Sequence, residues 1–289
     1  MALSECLLVK TGPEIALKSS YVRRDFIRRL ENNLHDSARN NSIKIAKIER
    51  SGGRLFLYSE ELDNLQKIIA NVFGVQSYAK VVVNDFTNLE DICAQGVEFV
   101  KSDLKKQKTF AIRAARSGTH KITSKEIEIA VGDAVRTKFG LKVNLSKPEY
   151  VLNIELREKK SYLYSSKKPG LVGLPLGTAG AVAIFCSEKN ESLLAAFLMM
   201  RRGCRSVMFS KNAKLARECA EKLQRFNSSF SVEYFSIDEF GKAKTKNKIG
   251  GVVFSKNEKP QVAKELAVLY PLQFYPAELK KQKLEIINS

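Results

Sequence analysis

The sequence predicts an α+β first part and a parallel α/β last part within 289 residues. Three observations lead there. Apolar segments in the first 75 residues follow the order β-α-β-β-α-β. The stretch 169–180 is rich in proline and glycine and interrupts the chain like a connector. Beyond it, short apolar runs alternate with helical patterns, which is the signature of a parallel sheet covered by helices. The expected division is 1–75, 76–168, a linker at 169–180, and 181–289.

Leu7-Leu8-Val9 reads as a short buried strand. From Tyr21 to Leu34 the apolar residues Val22, Phe26, Ile27, Leu30 and Leu34 recur at helical spacing, with Arg23, Arg24, Arg28 and Arg29 opposite. Ile43 to Ile48 alternates like a half-buried strand, and Leu55 to Tyr58 is its partner across a Gly52-Gly53 hairpin turn. Leu62 to Ala70 reads as a helix, and Val72-Phe73-Gly74-Val75 closes the unit as a strand. This order is that of a ferredoxin-like fold. The segment also resembles the opening of the ThiI family of tRNA 4-thiouridine synthases. The resemblance rests on Gly12, Glu14-Ile15-Ala16-Leu17-Lys18, Gly53-Arg54 and Val72-Phe73-Gly74-Val75, with Pro13 as an insertion.

In the second unit Val81-Val82-Val83 reads as a strand and Leu89 to Leu104 as a helix. Phe110 to Arg116 is a strand end, and Thr123 or Ser124 caps a helix that Gly140 stops. Val143-Asn144-Leu145, Val151 to Leu156 and Tyr162-Leu163-Tyr164 follow as strands. Arg113 and Arg116 are separated by an odd number of positions, so they share a face only if the strand ends first. The block resembles the THUMP domain, an RNA-binding module of tRNA-modifying enzymes. Phe110 to Lys121, Ser124, Glu126-Ile127, Val131-Gly132, Val143-Asn144-Leu145, Pro148 and Tyr162 to Ser165 carry that resemblance. It implies a surface that holds the acceptor end of tRNA by shape and phosphate contacts, not by base sequence.

The third unit opens with a buried strand, Val182 to Phe185. The loop Ser187-Glu188-Lys189-Asn190-Glu191-Ser192 and a helix from Leu193 to Met200 follow, with Gly203 after them. A strand, loop and helix N-terminus in this order can hold a phosphate, because free backbone N–H groups point at the anion. Strands at Ser206 to Phe209, Ser231 to Phe235 and Gly251 to Phe254 are expected. So are helices at Ala213 to Phe226 and Gln261 to Leu269, and a basic loop at Gly241 to Lys248.

The ending Leu198-Met199-Met200-Arg201-Arg202-Gly203 resembles the helix after the pyrophosphate loop of ThiI-type ATP pyrophosphatases. The resemblance implies a Rossmann-like PP-loop domain. It makes Ser187, Lys189 and Ser192 the remnant of an ATP loop. The family's loop glycines are replaced here by Glu188 and Lys189, and its aspartate by Glu191. The interval where the family keeps its catalytic cysteine, Ser236 to Gly250, contains none. The expectation is therefore a degenerate loop, with no catalytic residue and no cofactor. ATP with Mg is the alternative.

Composition sets the partner class. The net charge is +18, and the excess is spread over all three units; the pI is near 9.6. A soluble chain this basic meets a polyanion. No apolar run approaches a membrane span. No basic, apolar leader opens the sequence, and the five cysteines form no C-x-x-C pair, which points to a cytoplasmic protein. The residues assigned to RNA are Lys18, Arg23, Arg24, Arg54, Arg113, Arg116, Ser117, His120 and Lys121. For Arg23 and Arg24 a merely solvated helix face is as good a reading, and for His120 a plain loop residue is. The expected function is tRNA binding in tRNA modification without ATP-dependent catalysis. One rival is an ATP-dependent tRNA sulfurtransferase making 4-thiouridine, with sulfur supply for thiamine as a second product. Another is a scaffold paired with a separate catalytic protein. A homodimer is also open.

Overall fold

A computed structural model describes residues 4–104, 106–119, 121–227, 231–254, 266–273 and 276–288. The chain folds as two compact units between which it passes several times. The first runs up to Lys10 and then takes Ile45–Gln66 and Ser77–Pro169. The second takes Thr11–Lys44, Lys67–Gln76 and everything from Gly170 on.

The strands of the first unit are β1 (Ser4–Thr11), β2 (Lys47–Ser51), β3 (Arg54–Tyr58), β4 (Val75–Asp85), β5 (Thr109–Ser117), β6 (Lys142–Val143), β7 (Tyr150–Arg157), β8 (Lys160–Tyr164) and β9 (Lys168–Pro169). They make one nine-stranded sheet in the order β2-β3-β1-β4-β8-β7-β5-β6, with β9 also on β4. Gly52 and Gly53, at φ 52° and 76°, turn β2 into β3, as a two-residue hairpin with right-handed strand twist requires. β5 and β7 run parallel over Phe110 to Ser117, so a helix must connect strands on the same side.

That helix is α5 (Ser124–Phe139), which packs beside α4 (Leu89–Asp103). Each opens with a capping box. Asn88 accepts from the Asp91 N–H at 2.9 Å, and Thr123 accepts from the Glu126 N–H at 3.2 Å. Gly140 in the left-handed region stops α5. A Cβ at Gly96 would stand 2.6 Å from Val131, so only glycine lets α4 come this close to α5. Ile92, Val100, Phe110, Ile112, Val131, Leu152, Ile154 and Leu163 form the core beneath them.

The second unit holds α1 (Pro13–Ala16), its neighbour α2 (Ser20–Asn40), and a five-stranded parallel sheet. The sheet comprises β10 (Ala181–Phe185), β11 (Arg205–Ser210), β12 (Tyr234–Ser236), β13 (Ile249–Phe254) and β14 (Ala267–Leu269), ordered β12-β11-β10-β13-β14. Its helices are α6 (Lys189–Arg201), α7 (Ala213–Leu223), α8 (Phe240–Asn247) and α9 (Ala277–Asn288); α3 (Leu62–Ile69) straddles the division of the chain. Both faces are buried, as a parallel sheet demands. Val182, Ile184, Met208 and Val253 join the α6, α7 and α9 side chains. Ala183, Phe185, Phe209, Val252 and Phe254 pack with Phe240 and Ala243.

Several expected elements are corrected. Val72 to Gly74 is a turn, and the strand begins at Val75 and runs through Val81-Val82-Val83 without a break. Two expected strands are thus one, long enough to pair with β8 and β9 at different points along its length. β2 starts only at Lys47, although Ile43 and Ile45 ahead of it are still buried. The basic loop at Gly241 to Lys248 is α8, whose buried stripe Phe240, Ala243, Asn247 recurs at helical spacing among lysines. Ala267–Leu269 is a strand parallel to β13, not the end of a helix, and the rest of that expected helix, from Gln261, lies outside the described residues. Among the described residues no helix is long and apolar enough to cross a membrane.

Candidate nucleotide loop and nucleic-acid interface

β10 ends at Phe185, Cys186 is buried, and α6 begins at Lys189, so a strand, loop and helix N-terminus are present as the sequence implied. The Asn190 and Glu191 N–H groups at the start of α6 are already taken. The Glu188 carboxylate caps the helix, accepting from the Asn190 N–H at 3.1 Å and the Glu191 N–H at 2.7 Å. It stands where an anion would stand and completes the favourable interaction of negative charge with a helix start.

The three remnant-loop residues do not converge. Ser187 is exposed. Lys189 is turned away into an ion pair with Glu218 of α7, which raises the lysine's pKa and lowers the carboxylate's. Ser192 is fully buried and donates its hydroxyl to the Glu188 carbonyl.

Beneath the loop lies a pair of thiols that the sequence did not reveal, because its members are far apart in the chain. Cys186 donates to the Ile184 carbonyl at 3.7 Å and Cys219 to the Lys189 carbonyl at 4.0 Å. The neighbouring thiol and burial push Cys186 up, while the neighbouring thiol pulls Cys219 down. Among the described residues all five cysteines are unbridged.

The RNA-assigned residues fall into two groups. Lys18, Arg23 and Arg24 are exposed in the second unit, with Arg23 donating to the Lys18 carbonyl at 3.2 Å. The others belong to the first unit. Arg113 and Arg116 are both exposed within β5, which runs on to Ser117, so the two arginines project from opposite faces. Arg113 donates to the Leu145 carbonyl. Arg116 lies near Glu126 at the start of α5 and helps to lower that carboxyl's pKa, after the larger effect of the Thr123 hydrogen bonds. Lys121 is exposed, and His120 lies outside the described residues.

Arg54 opens β3 just after the β2–β3 hairpin, and Ser117 lies beside that hairpin, where a Cβ on Gly52 would stand 3.2 Å from the Ser117 hydroxyl and 3.7 Å from Arg157. Arg54 is only 17% exposed and is bound to Glu155 at 3.1 Å. Glu155 also accepts from Arg157 at 2.7 Å and from the Tyr164 hydroxyl at 3.2 Å. Arg157, with its pKa lowered chiefly by burial, was not singled out from sequence, nor was Glu155, since strand parity alone says nothing about a partner 101 positions away.

The ThiI ferredoxin-like domain family matches residues 6–79, and the THUMP domain family matches residues 86–166. The chain thus carries a ThiI-type ferredoxin-like domain followed by a THUMP domain. Curated relatives are about a third identical to it over the matched stretch. The probable tRNA sulfurtransferase of Methanothermobacter thermautotrophicus is 32% identical over 241 residues, covering 82% of this chain and 60% of the relative. That of Saccharolobus solfataricus is 32% identical over 237 residues, covering 80% and 62%. The ThiI-like chain therefore spans about 60% of the length of such relatives.

Two solved structures share its fold. PH1313 from Pyrococcus horikoshii matches with a TM-score of 0.85 at 24% identity, over 99% of this chain and 100% of that one. A 4-thiouridine synthetase, solved as an RNA complex with bound ATP, matches with a TM-score of 0.79 at 19% identity, over 98% and 85%. The ThiI-like chain thus has the ferredoxin-like, THUMP and parallel α/β parts expected of it.

Proposed function

We propose that the ThiI-like chain binds the acceptor region of tRNA and presents it for modification without carrying out ATP-dependent chemistry itself. The observation that carries this reading is the Glu188 carboxylate on the first N–H groups of α6. A pyrophosphate at this place would have to displace a carboxylate of its own sign, and Lys189 is paired with Glu218. The loop has no glycine to let the backbone wrap an anion. The residues present do not fit ATP.

RNA binding is supported by the THUMP match, by the RNA in the structure of the 4-thiouridine synthetase, and by the +18 charge. The names of the curated relatives favour the second reading, an active tRNA sulfurtransferase.

Paired titrations separate the two. Labelled tRNA and labelled ATP are each titrated into the purified chain at about 50 and 200 mM salt. The expected result is tRNA affinity that falls about a hundredfold or more between the two salts, with no ATP binding. Saturable ATP binding would overturn the noncatalytic part. Absence of tRNA binding at low salt would overturn the whole reading.

A further inference from the structure

Motifs that carry the family resemblance come together in the second unit at the end of α6 remote from the nucleotide loop. Glu14, Leu17 and Lys18 of the first motif, Gly173 and Leu174 of the Pro/Gly-rich stretch, and Leu198, Met199, Arg201 and Arg202 of the α6 ending line one cleft of about 650 Å³. That volume lies within the range of small-molecule sites, roughly 300–1,000 Å³.

The chemistry of the cleft is mixed in a particular way. Leu174, Leu198 and Met199 give it an apolar wall. Leu17 at its edge is 87% exposed, and nearby in the chain Tyr21 is 75% exposed. Lys18, Arg201 and Arg202 form no ion pair among the described residues, and they outnumber the acidic groups of the cleft. Lys283 on α9 registers that field: burial chiefly lowers its pKa, and the charge of Arg201 lowers it further. Glu14 supplies the one carboxylate, and its Oε2 is buried without a hydrogen-bond partner. A buried acceptor left unmade is costly, so a donor that reached it would be held well.

An apolar wall, three unpaired cations and one waiting acceptor match the three parts of a nucleotide: a flat base, a phosphate and an exocyclic amine. Three cations against one carboxylate favour an anionic occupant over an apolar peptide or a second copy of this basic chain. We propose that this cleft takes one unpaired, amino-bearing nucleotide of a bound RNA. Its base lies on Leu174, Leu198 and Met199, its amine donates to Glu14, and its phosphate sits among Lys18, Arg201 and Arg202. The inference rests on the RNA-binding reading above and adds a site for single-stranded RNA, far from Glu188 along α6.

The test uses the full chain and two RNA stems of the same sequence, one blunt and one with a four-nucleotide unpaired adenosine tail. The tailed stem is expected to bind about tenfold tighter than the blunt one. In Arg202→Ser, Lys18→Ser and Glu14→Met that advantage shrinks to about twofold or less. Binding of the blunt stem, which also reports intact folding, stays unchanged in Arg202→Ser and Glu14→Met. A uridine tail, which offers no exocyclic amine, gains less than the adenosine tail in the wild type and the same in Glu14→Met.

Equal binding of tailed and blunt stems, or a tail advantage that survives all three substitutions, overturns the cleft while leaving the RNA-binding reading intact. Failure of both stems to bind overturns that reading itself. Protection of the cleft by free AMP, with no tail advantage, reassigns it to a free nucleotide and overturns the proposal.

Discussion

Glu155 shows what one residue has to do in the first unit. It is 5% exposed and lies between Arg54 and Arg157, with the Tyr164 hydroxyl on its second oxygen. Removing a single member of a buried ion cluster leaves the others uncompensated in a poor solvent for charge. Glu155→Gln is therefore expected to lower stability by about 3 kcal/mol in urea unfolding. Glu221→Gln, which breaks an exposed pair with Arg217 on α7, changes the midpoint not at all within error. Equal midpoints for the two variants would show that the cluster carries no stability. Nothing in the sequence announces it, since arginine, glutamate and tyrosine are ordinary residues on alternating strands. Local features were legible because their partners are close in sequence. The Gly52-Gly53 turn and the Thr123–Glu126 capping box need only a few residues each.

At the scale of elements, the Pro/Gly-rich stretch is bound tightly to the end of α6. Leu174 N–H donates to the Arg201 carbonyl at 2.9 Å, and the Gly177 and Ala179 N–H groups donate to the Gly203 carbonyl at 2.8 and 3.1 Å. Gly173 has φ 77°, and a Cβ there would fall 2.3 Å from the Arg201 carbonyl oxygen. Gly173→Ala meets both a disfavoured backbone and a backbone clash, for an expected loss of about 3 kcal/mol. Gly140→Ala has φ 66° but open space around it, and is expected to cost about 1 kcal/mol. Thermal unfolding of the two variants orders them, and a milder effect at Gly173 would refute the packing account. This also gives a physical reason for the Leu198 to Gly203 motif: Gly203, at φ 89°, ends α6 and receives the stretch. The elements misread from sequence, such as α8, fail for the opposite reason. Their apolar positions are few, and the lysines around them look like a loop.

For the molecule as a whole, one face of the nine-stranded sheet gathers acids that burial keeps neutral. Cys6, Phe56, Tyr162 and Tyr164 form one core there, with Phe56 and Tyr162 stacked at 4.1 Å. Burial pushes the Cys6 thiol from 9.0 up to about 12. Burial likewise pushes the Tyr162 phenol from 10.0 up to about 12, and the Tyr58 and Tyr164 phenols also rise. In each case the unfolded chain gives up its proton first, so stability is intact below about pH 9 and falls as pH rises from there towards 12. Melting temperature followed from pH 8 to 11 should decline, with a weaker decline in Cys6→Ala; a flat profile would contradict this account. The α+β and parallel α/β character was legible across the chain because patterning repeats over many residues. The continuity of β4 was not, because Gln76-Ser77 and Lys80 interrupt its apolar pattern and look like a boundary.

That continuity bears on how such a protein can be assembled in evolution. Two sequence families abut here, at 6–79 and 86–166, yet β4 runs from Val75 to Asp85 across the gap between them. The segments cannot be exchanged like cassettes at a passive joint. Any recombination there has to preserve the register of a strand that both neighbours read, which ties the inheritance of one half to that of the other.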